Sequence, residues 1–160
     1  MNSYNWIDTK VPKGLEIRQV YGFVFGPDGR IVLLEDEGIF NLPGGKPEGG
    51  ESMSETLIRE AAEEVQITIS SPNYLGYQLV TTEEKFAQVR FVALIDQILL
   101  PAPDPSTGRT CRRLWVPLTE SNDLLKWGES GAQQIASAAA AASNLGVTWD
   151  GSPLRYIEIN

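Results

Sequence analysis

Three glutamates are spaced so that they could act together on one ligand. Glu60, Glu63 and Glu64 stand at positions i, i+3 and i+4 of a segment with helical periodicity, which places them on one helix face. Like charges at this spacing repel, and negative charge near a helix C-terminus opposes the helix dipole. We therefore expect a divalent cation such as Mg²⁺, which prefers oxygen ligands, in front of them. From the helix alone, an ordinary solvated acidic face stays open as the alternative.

A glycine-rich loop, residues 43–50, lies directly ahead of this segment. Its four glycines permit backbone conformations in which carbonyl or amide groups approach a ligand closely. The loop lacks the Gly-Lys-Ser/Thr of a phosphate-binding Walker loop and is not a dinucleotide-binding GxGxxG. A loop of this kind is usually only a turn, so it supports a ligand site without establishing one.

The helix that must carry the glutamates is predicted over residues 52–66. Ser52 followed three residues later by Glu55 is a capping-box signal for its start. The side opposite the glutamates is apolar and is expected to face the core. Its members are Leu57, Ile58, Ala61, Ala62 and Val65.

The remaining pattern predicts strands around this helix and a second helix near the end of the chain. The first 14 residues are polar and irregular and suggest a docked arm. The other predicted elements are a hairpin over 15–25 and 30–34, a short strand at 39–42, strands near 74–80, 86–98 and 112–116, a loop over 101–108 and an alanine-rich helix over 130–143.

Composition excludes several kinds of chemistry. The chain of 160 residues, expected to form one domain over 1–160, contains no histidine, which rules out Ser-His and Cys-His catalysis and histidine-ligated metals. Its net charge of −8 argues against nucleic-acid and anionic-membrane partners. The single cysteine, Cys111, cannot form an intrachain disulfide. With no apolar run of membrane-spanning length and no secretion signal, we expect a cytoplasmic protein.

The loop and helix together resemble the Nudix box over 23 residues. They read Gly45, five residues, Glu51, seven residues, and then residues 59–67 as Arg-Glu-Ala-Ala-Glu-Glu-Val-Gln-Ile, against the pattern G-x5-E-x7-R-E-U-x-E-E-x-G-U. Residues 42–45, Leu-Pro-Gly-Gly, are similar to the usual lead-in of the family. The departure is Gln66, where the family usually has the glycine that ends the helix.

This resemblance implies a fold, an activity and a set of roles. The fold would be an α/β/α sandwich with a mixed, curved sheet between the box helix and the C-terminal helix. Glu60, Glu63, Glu64 and the Gly45 carbonyl would hold Mg²⁺ or Mn²⁺, while Arg59 would orient a ligand carboxylate and Glu51 would brace the loop. The three glutamates and Arg59 are the predicted catalytic residues. Other glutamates could serve as the general base: Glu83, Glu84 and Glu120.

The implied activity is that of a MutT-like pyrophosphohydrolase acting on a nucleotide. The marks expected downstream of the box for ADP-ribose and dinucleoside polyphosphate cleavers are missing, which favours nucleoside di- or triphosphates that release a monophosphate. An ADP-ribose or nucleotide-sugar pyrophosphatase and a non-catalytic nucleotide-sensing module are the alternatives. An isopentenyl diphosphate isomerase-like activity would need a cysteine ahead of the helix, and Cys111 lies well after it.

The sequence leaves alternatives open for substrate contacts and for assembly. Arg112 and Arg113, beside Arg109, could contact a phosphate or simply lie at a strand edge. The small side chains of the alanine-rich helix would suit a homodimer contact as well as core packing. Five aromatic residues are candidate base platforms or, more commonly, core residues: Tyr21, Phe23, Phe40, Tyr77 and Phe86.

Overall fold

The computed structural model describes residues 1–148 and 156–160. These residues form nine strands and three helices. In chain order they are β1 (Ser3–Ile7), β2 (Glu16–Phe25), β3 (Arg30–Asp36), β4 (Ile39–Asn41), β5 (Gly44–Gly45), α1 (Met53–Val65), β6 (Ile67–Thr81), β7 (Lys85–Ile98), β8 (Arg112–Pro117), α2 (Leu118–Leu125), α3 (Gly128–Asn144) and β9 (Ile157–Glu158).

The strands form one mixed sheet in the order β1-β6-β7-β2-β3-β8-β9, with β4 added to β3 and β5 added to β2. Among the strand pairs of the described residues, β2 and β7 run parallel and the others run antiparallel. The helix α1 covers one face, and α3 covers the other. This is the predicted α/β/α architecture.

The alternation of side chains along β2 explains how the two helices find opposite faces. Val20 packs in the same cluster as Leu57 of α1, whereas Phe23 and Phe25 pack with Ala138 of α3. Gly22 lies directly beneath Leu57, and a Cβ there would come within 2.8 Å of the leucine side chain. The absence of a side chain at this position therefore lets α1 lie close to the centre of the sheet.

The start of α1 is formed as predicted, but fewer of its apolar residues are buried than the sequence predicted. The capping box is complete, because Ser52 accepts from Glu55 N and the Glu55 side chain accepts from Ser52 N. Leu57, Ala61 and Val65 are fully buried. Ile58, which is 45% exposed, and Ala62 face solvent, so the prediction that they belong to the core face was wrong. The sheet covers this i, i+4 row of the helix, and Thr56, which is also buried, donates its hydroxyl to Glu51 of the loop.

Three elements differ from the sequence prediction. Within the predicted arm, Ser3–Ile7 is an edge strand paired with β6, and Trp6 Nε1 donates to Ser137 Oγ of α3 at 3.0 Å. The predicted hairpin is reduced to the pair Phe25–Ile31, since β2 pairs mainly with β7. Helix α2 was not predicted at all. In the described residues no helix has the length and apolar character needed to cross a bilayer.

Candidate functional site

Arg59 and Glu51 join the glycine-rich loop to α1. The Arg59 guanidinium donates from Nε to Glu51 Oε2 at 2.6 Å and from Nη2 to the Lys46 carbonyl at 3.1 Å. Glu51 also accepts from Glu48 N and from Thr56 Oγ1. The hydrogen bond from Arg59, ahead of the other contacts, lowers the pKa of Glu51 to about 2. The loop is thus fixed to the first turns of the helix by charge-assisted bonds.

Glu64 points from α1 towards the other side of the same loop. Its Oε1 accepts a hydrogen bond from the backbone N–H of Gly44 at 3.1 Å. Burial raises the pKa of the Glu64 carboxyl to about 8, and the neighbouring charges of Glu60, Asp104 and Asp36 add to this shift. A buried carboxylate in such surroundings is stabilised when a cation binds beside it.

Glu60 lies against the loop residue that the resemblance assigned to the metal site. A Cβ on Gly45 would sit 2.5 Å from Glu60 Oε1, so only a glycine allows the backbone to approach this carboxylate so closely. Burial raises the pKa of Glu60, while Arg59, which donates to its Oε1 at 3.0 Å, opposes the shift. The backbone of Gly45 and two box glutamates are therefore brought together.

Within the described part of the chain, no group of three Asp, Glu or Cys side chains is already arranged to coordinate a metal ion. Arg59 Nη1 binds both Glu60 and Glu63, the latter at 3.2 Å, whereas Glu64 is turned to the loop amide. The residues nevertheless fit a hard divalent cation, because their donors are oxygens and, among the described residues, no basic side chain forms an ion pair with Glu64. The metal-ligand roles of Gly45, Glu60, Glu63 and Glu64 stay predictions.

Two aspartates that the sequence did not single out add negative charge to this site. Asp104, only 7% exposed, comes from the loop between β7 and β8, where its Oδ1 accepts from Ser106 N. Asp36 ends β3 and pairs with Arg109. Both raise the pKa of Glu64. An Asp-Pro-Ser turn signal was readable in the loop, but nothing in it indicated that the loop folds back towards α1.

The unusual residue at the end of α1 has its own set of contacts. Gln66 adopts the left-handed conformation, at φ 51°, that a glycine would adopt without strain. Its Nε2 donates to the Glu63 carbonyl at 2.9 Å and its Oε1 accepts from Ala102 N at 3.1 Å. The side chain therefore ends the helix and also fastens the loop that carries Asp104.

The three arginines of the basic cluster are separated by the structure. Arg109 pairs with Asp36, and Arg112 pairs with Glu35 at 2.9 Å and with Glu158 at 3.3 Å. Arg113 is 1% exposed and donates from Nη1 to the carbonyls of Val65 and Leu99.

Burial corrects the expectation that Arg113 contacts a phosphate. Its Nε and Nη2 atoms have no surface that a substrate could reach, and its Nη1 lies at the C-terminus of α1, where the helix dipole favours a cation. Substrate contact by Arg112 stays a prediction.

The other sequence candidates lie apart from the box glutamates. Glu83 and Glu84 are in the turn between β6 and β7, where Glu84 pairs with Arg18 at 2.9 Å, and Glu120 is exposed on α2. In the described residues none of the three has a hydrogen bond or ion pair with a box glutamate. Burial raises the pKa of the Cys111 thiol to about 11, so the thiol is a poor nucleophile at neutral pH.

A polar cavity of about 380 Å³ opens on the α3 face of the sheet, beside the glycine-rich loop. Its connection to the carboxylates is Tyr21, which lines the cavity and is paired in the sheet with Gly44, the donor to Glu64. Of the aromatic candidates, Tyr21 is the one that lines it, whereas Phe23 and Tyr77 are buried in the core. The lining residues are Tyr4, Tyr21, Asn41, Gln78, Gln88, Arg90, Lys126 and Trp127.

Solved structures with a similar fold include three hydrolases. A NUDIX hydrolase from Nitrosomonas europaea aligns with a TM-score of 0.60 and 19% identity over 89% of this chain and 97% of the other. An Ap4A hydrolase from C. elegans aligns with a TM-score of 0.58 and 15% identity over 80% of this chain and 99% of the other. A Bacillus subtilis pyrophosphohydrolase aligns with a TM-score of 0.56 and 24% identity over 63% of this chain and 65% of the other. The alignment therefore spans less than two thirds of the length of that hydrolase.

The family itself is shown by sequence. No curated protein sequence matches the chain. The profile of the NUDIX domain, however, matches residues 16–137, which is more than half of the chain and includes the whole loop and α1. The chain therefore belongs to the Nudix hydrolase family.

Proposed function

We propose that this protein hydrolyses a phosphoanhydride bond of a nucleoside di- or triphosphate, or of a nucleoside diphosphate derivative, with Mg²⁺ or Mn²⁺ and with release of a nucleoside monophosphate. The observation that carries the proposal is the junction at Gly44 and Tyr21. On one side of it lies the carboxylate cluster, and on the other lies a cavity in the size range of small-ligand sites.

The two sides of the junction differ in charge, which indicates which part of a nucleotide each would bind. The carboxylate side carries Glu60, Glu63 and Glu64, which would attract a cation that in turn attracts phosphate. The cavity side carries two cations, Arg90 and Lys126, together with amides and aromatic rings, which suit the nucleoside end of a substrate. A nucleotide spanning the junction would therefore place its phosphates at α1 and its base in the cavity.

The chain's own groups would act by holding and orienting. Glu60, Glu63, Glu64 and the Gly45 carbonyl would hold the divalent ion, which supplies charge neutralisation of the phosphates and a water of lowered pKa. Arg59 fixes the carboxylates of Glu60 and Glu63 from one side. The Gly44 N–H fixes Oε1 of Glu64 and leaves its Oε2 for the ligand.

The names of similar structures are consistent with this substrate class. The Bacillus subtilis neighbour is a pyrophosphohydrolase and the C. elegans neighbour an Ap4A hydrolase, so the same fold serves cleavage of phosphoanhydrides elsewhere. A cytoplasmic location, where nucleotides are abundant and a lone thiol such as Cys111 stays reduced, fits the proposal.

The test is a substrate panel with the whole protein. Nucleoside di- and triphosphates, nucleotide sugars, ADP-ribose and dinucleoside polyphosphates are incubated with Mg²⁺ or Mn²⁺, and the products are separated by chromatography. We expect a nucleoside monophosphate from at least one substrate and no turnover in EDTA. A protein that binds nucleotides but turns over none of them with either metal would contradict the proposal and favour the sensing module.

A further inference from the structure

Arg90 is a buried cation that the catalytic scheme leaves unused. It lies on β7, is 1% exposed, and lines the polar cavity. Its Nε donates to Gln134 Oε1 at 2.8 Å, and its Nη1 makes long contacts with the carbonyls of Gln88 and Val89 at 3.4 and 3.5 Å. No acceptor for Nη2 is found among residues 1–148 and 156–160.

The guanidinium is also held in a fixed position by two aromatic rings. Its carbon lies 5.1 Å from the centre of the Tyr21 ring and 4.7 Å from that of Trp127. Such contacts favour a cation over a neutral group. In the described residues Arg90 has no ion pair, although burying a charge without one is costly. The pKa of Arg90, lowered by burial to about 10, still leaves it charged at neutral pH.

The side-chain amide oxygens around the cavity already accept hydrogen bonds from other residues of the protein. Gln78 Oε1 accepts from both Ser130 Oγ and Gln134 Nε2, and Gln88 Oε1 accepts from Gln78 Nε2. The Asn41 side-chain oxygen accepts from Leu42 N, and its side chain is also hydrogen-bonded to Tyr21. Among the described residues, those that line the cavity include no acidic one. The cavity thus offers a ligand mainly hydrogen-bond donors and positive charge.

We propose that Arg90 makes this cavity selective for bases whose inward edge carries a carbonyl oxygen, which are 6-keto purines and 4-keto pyrimidines. This rests on the proposed function. The free Nη2 of Arg90 can donate to the carbonyl oxygen of such a base, as arginine does to O6 of guanine. A 6-amino or 4-amino group would instead point its N–H groups at Arg90, and both donors would stay unpaired.

The experiment compares ITP with ATP, whose purine rings differ in the keto or amino group at position 6 and the attendant N1 proton. With Mg²⁺ we expect kcat/KM for ITP and GTP to exceed that for ATP by roughly ten- to hundredfold, mostly through KM. For the same reason, kcat/KM for UTP should exceed that for CTP. Equal kcat/KM for ITP and ATP in the unaltered protein would overturn the inference while leaving the proposed function intact.

Variants separate the role of Arg90 from general packing. Arg90→Met, which keeps the length of the side chain without its donors, should abolish the preference for ITP, and Arg90→Lys should retain part of it. Arg18→Met is the matched control, because Arg18 stacks on Phe86 outside the cavity, and it should keep the full preference. A preference unchanged in a folded Arg90→Met would overturn the inference.

A binding measurement covers the case in which no nucleotide is hydrolysed. In EDTA, IMP should raise the melting temperature of the unaltered protein more than AMP at the same concentration. This comparison needs neither metal nor turnover, so failure of the proposed function and failure of the base preference give different results. An equal shift by IMP and AMP would again overturn the inference.

Discussion

Gly44 donates its backbone N–H to Oε1 of Glu64 across 3.1 Å and so ties the glycine-rich loop to a helix residue twenty positions later. The same glycine is paired with Tyr21 of the central strand β2. One residue therefore sets the position of the carboxylate, the loop and the wall of the cavity relative to each other.

Glu64→Gln should separate activity from stability. We expect turnover to fall by roughly a hundredfold or more, as when a major electrostatic group is lost. In EDTA the melting temperature should stay about the same at pH 7, where the Glu64 carboxyl with its pKa of about 8 is mostly protonated, and should rise above pH 8, where the substitution removes a buried charge facing Glu60, Asp104 and Asp36. Turnover and thermal melts are measured on both proteins. Glu129→Gln, an exposed substitution on α3, serves as control, and unchanged turnover in Glu64→Gln would refute its assignment.

Gly45→Ala should impair catalysis through the position of Glu60. The added Cβ would lie 2.5 Å from Glu60 Oε1, so the carboxylate must shift, and misplacement of this size can cost roughly a hundredfold in kcat. Gly49→Ala is the matched control in the same loop, because a Cβ there has no neighbour within 4 Å. Steady-state kinetics of both variants give the test. Equal losses in the two would point to loop stiffness instead of the carboxylate.

Glu51→Gln should lower stability in a pH-dependent way. The folded-state pKa of Glu51 is about 2, below its ordinary value of 4.5, so its contribution is fully present above pH 4.5 and is lost as the pH falls towards 2. Urea unfolding at pH 7, 5 and 3 should show the variant less stable at pH 7 and 5, with the difference shrinking at pH 3. A difference that is constant over this range would show that the Arg59 bond is not its origin.

Gln66→Ala should be more harmful than Gln66→Gly. Both substitutions remove the bonds to the Glu63 carbonyl and Ala102 N, which together contribute about 1–2 kcal/mol. Glycine, however, adopts the positive φ of this position without the strain of about 1 kcal/mol that alanine retains. Chemical unfolding of the two variants gives the comparison. Equal stabilities would mean that the helix end relaxes when the side chain is lost.

The sequence predicted the elements whose signals are local. The capping box at Ser52, the apolar row of Leu57, Ala61 and Val65 and the spacing of the glutamates all depend on residues within a few turns of one helix. These signals placed α1 within a residue at each end. The resemblance added the roles of Glu51 and Arg59, and the structure brings these two residues into contact.

What the sequence missed depends on distant pairing. Nothing near Ser3–Ile7 indicates that a polar segment will find β6, about 70 residues later. Adjacent arginines looked like a cluster, yet neighbours on a strand point to opposite faces, so Arg112 is exposed and Arg113 is buried. Likewise Tyr21, Arg90 and Trp127 form one wall only because β2 and β7 pair in parallel and α3 packs over them.

The parallel pairing of β2 with β7 also bears on how the molecule assembles. Glu16 is partnered by Phe86, and Phe25 by Leu94, so the middle of the sheet joins segments about 70 residues apart. Closing so long a loop is entropically unfavourable, and chains dominated by such contacts fold slowly. A ribosome-bound nascent chain would therefore expose Val20, Phe23 and Val24 as unprotected apolar surface until residues 85–98 emerge. We expect released fragments that stop before residue 85 to aggregate, even though they contain the entire box.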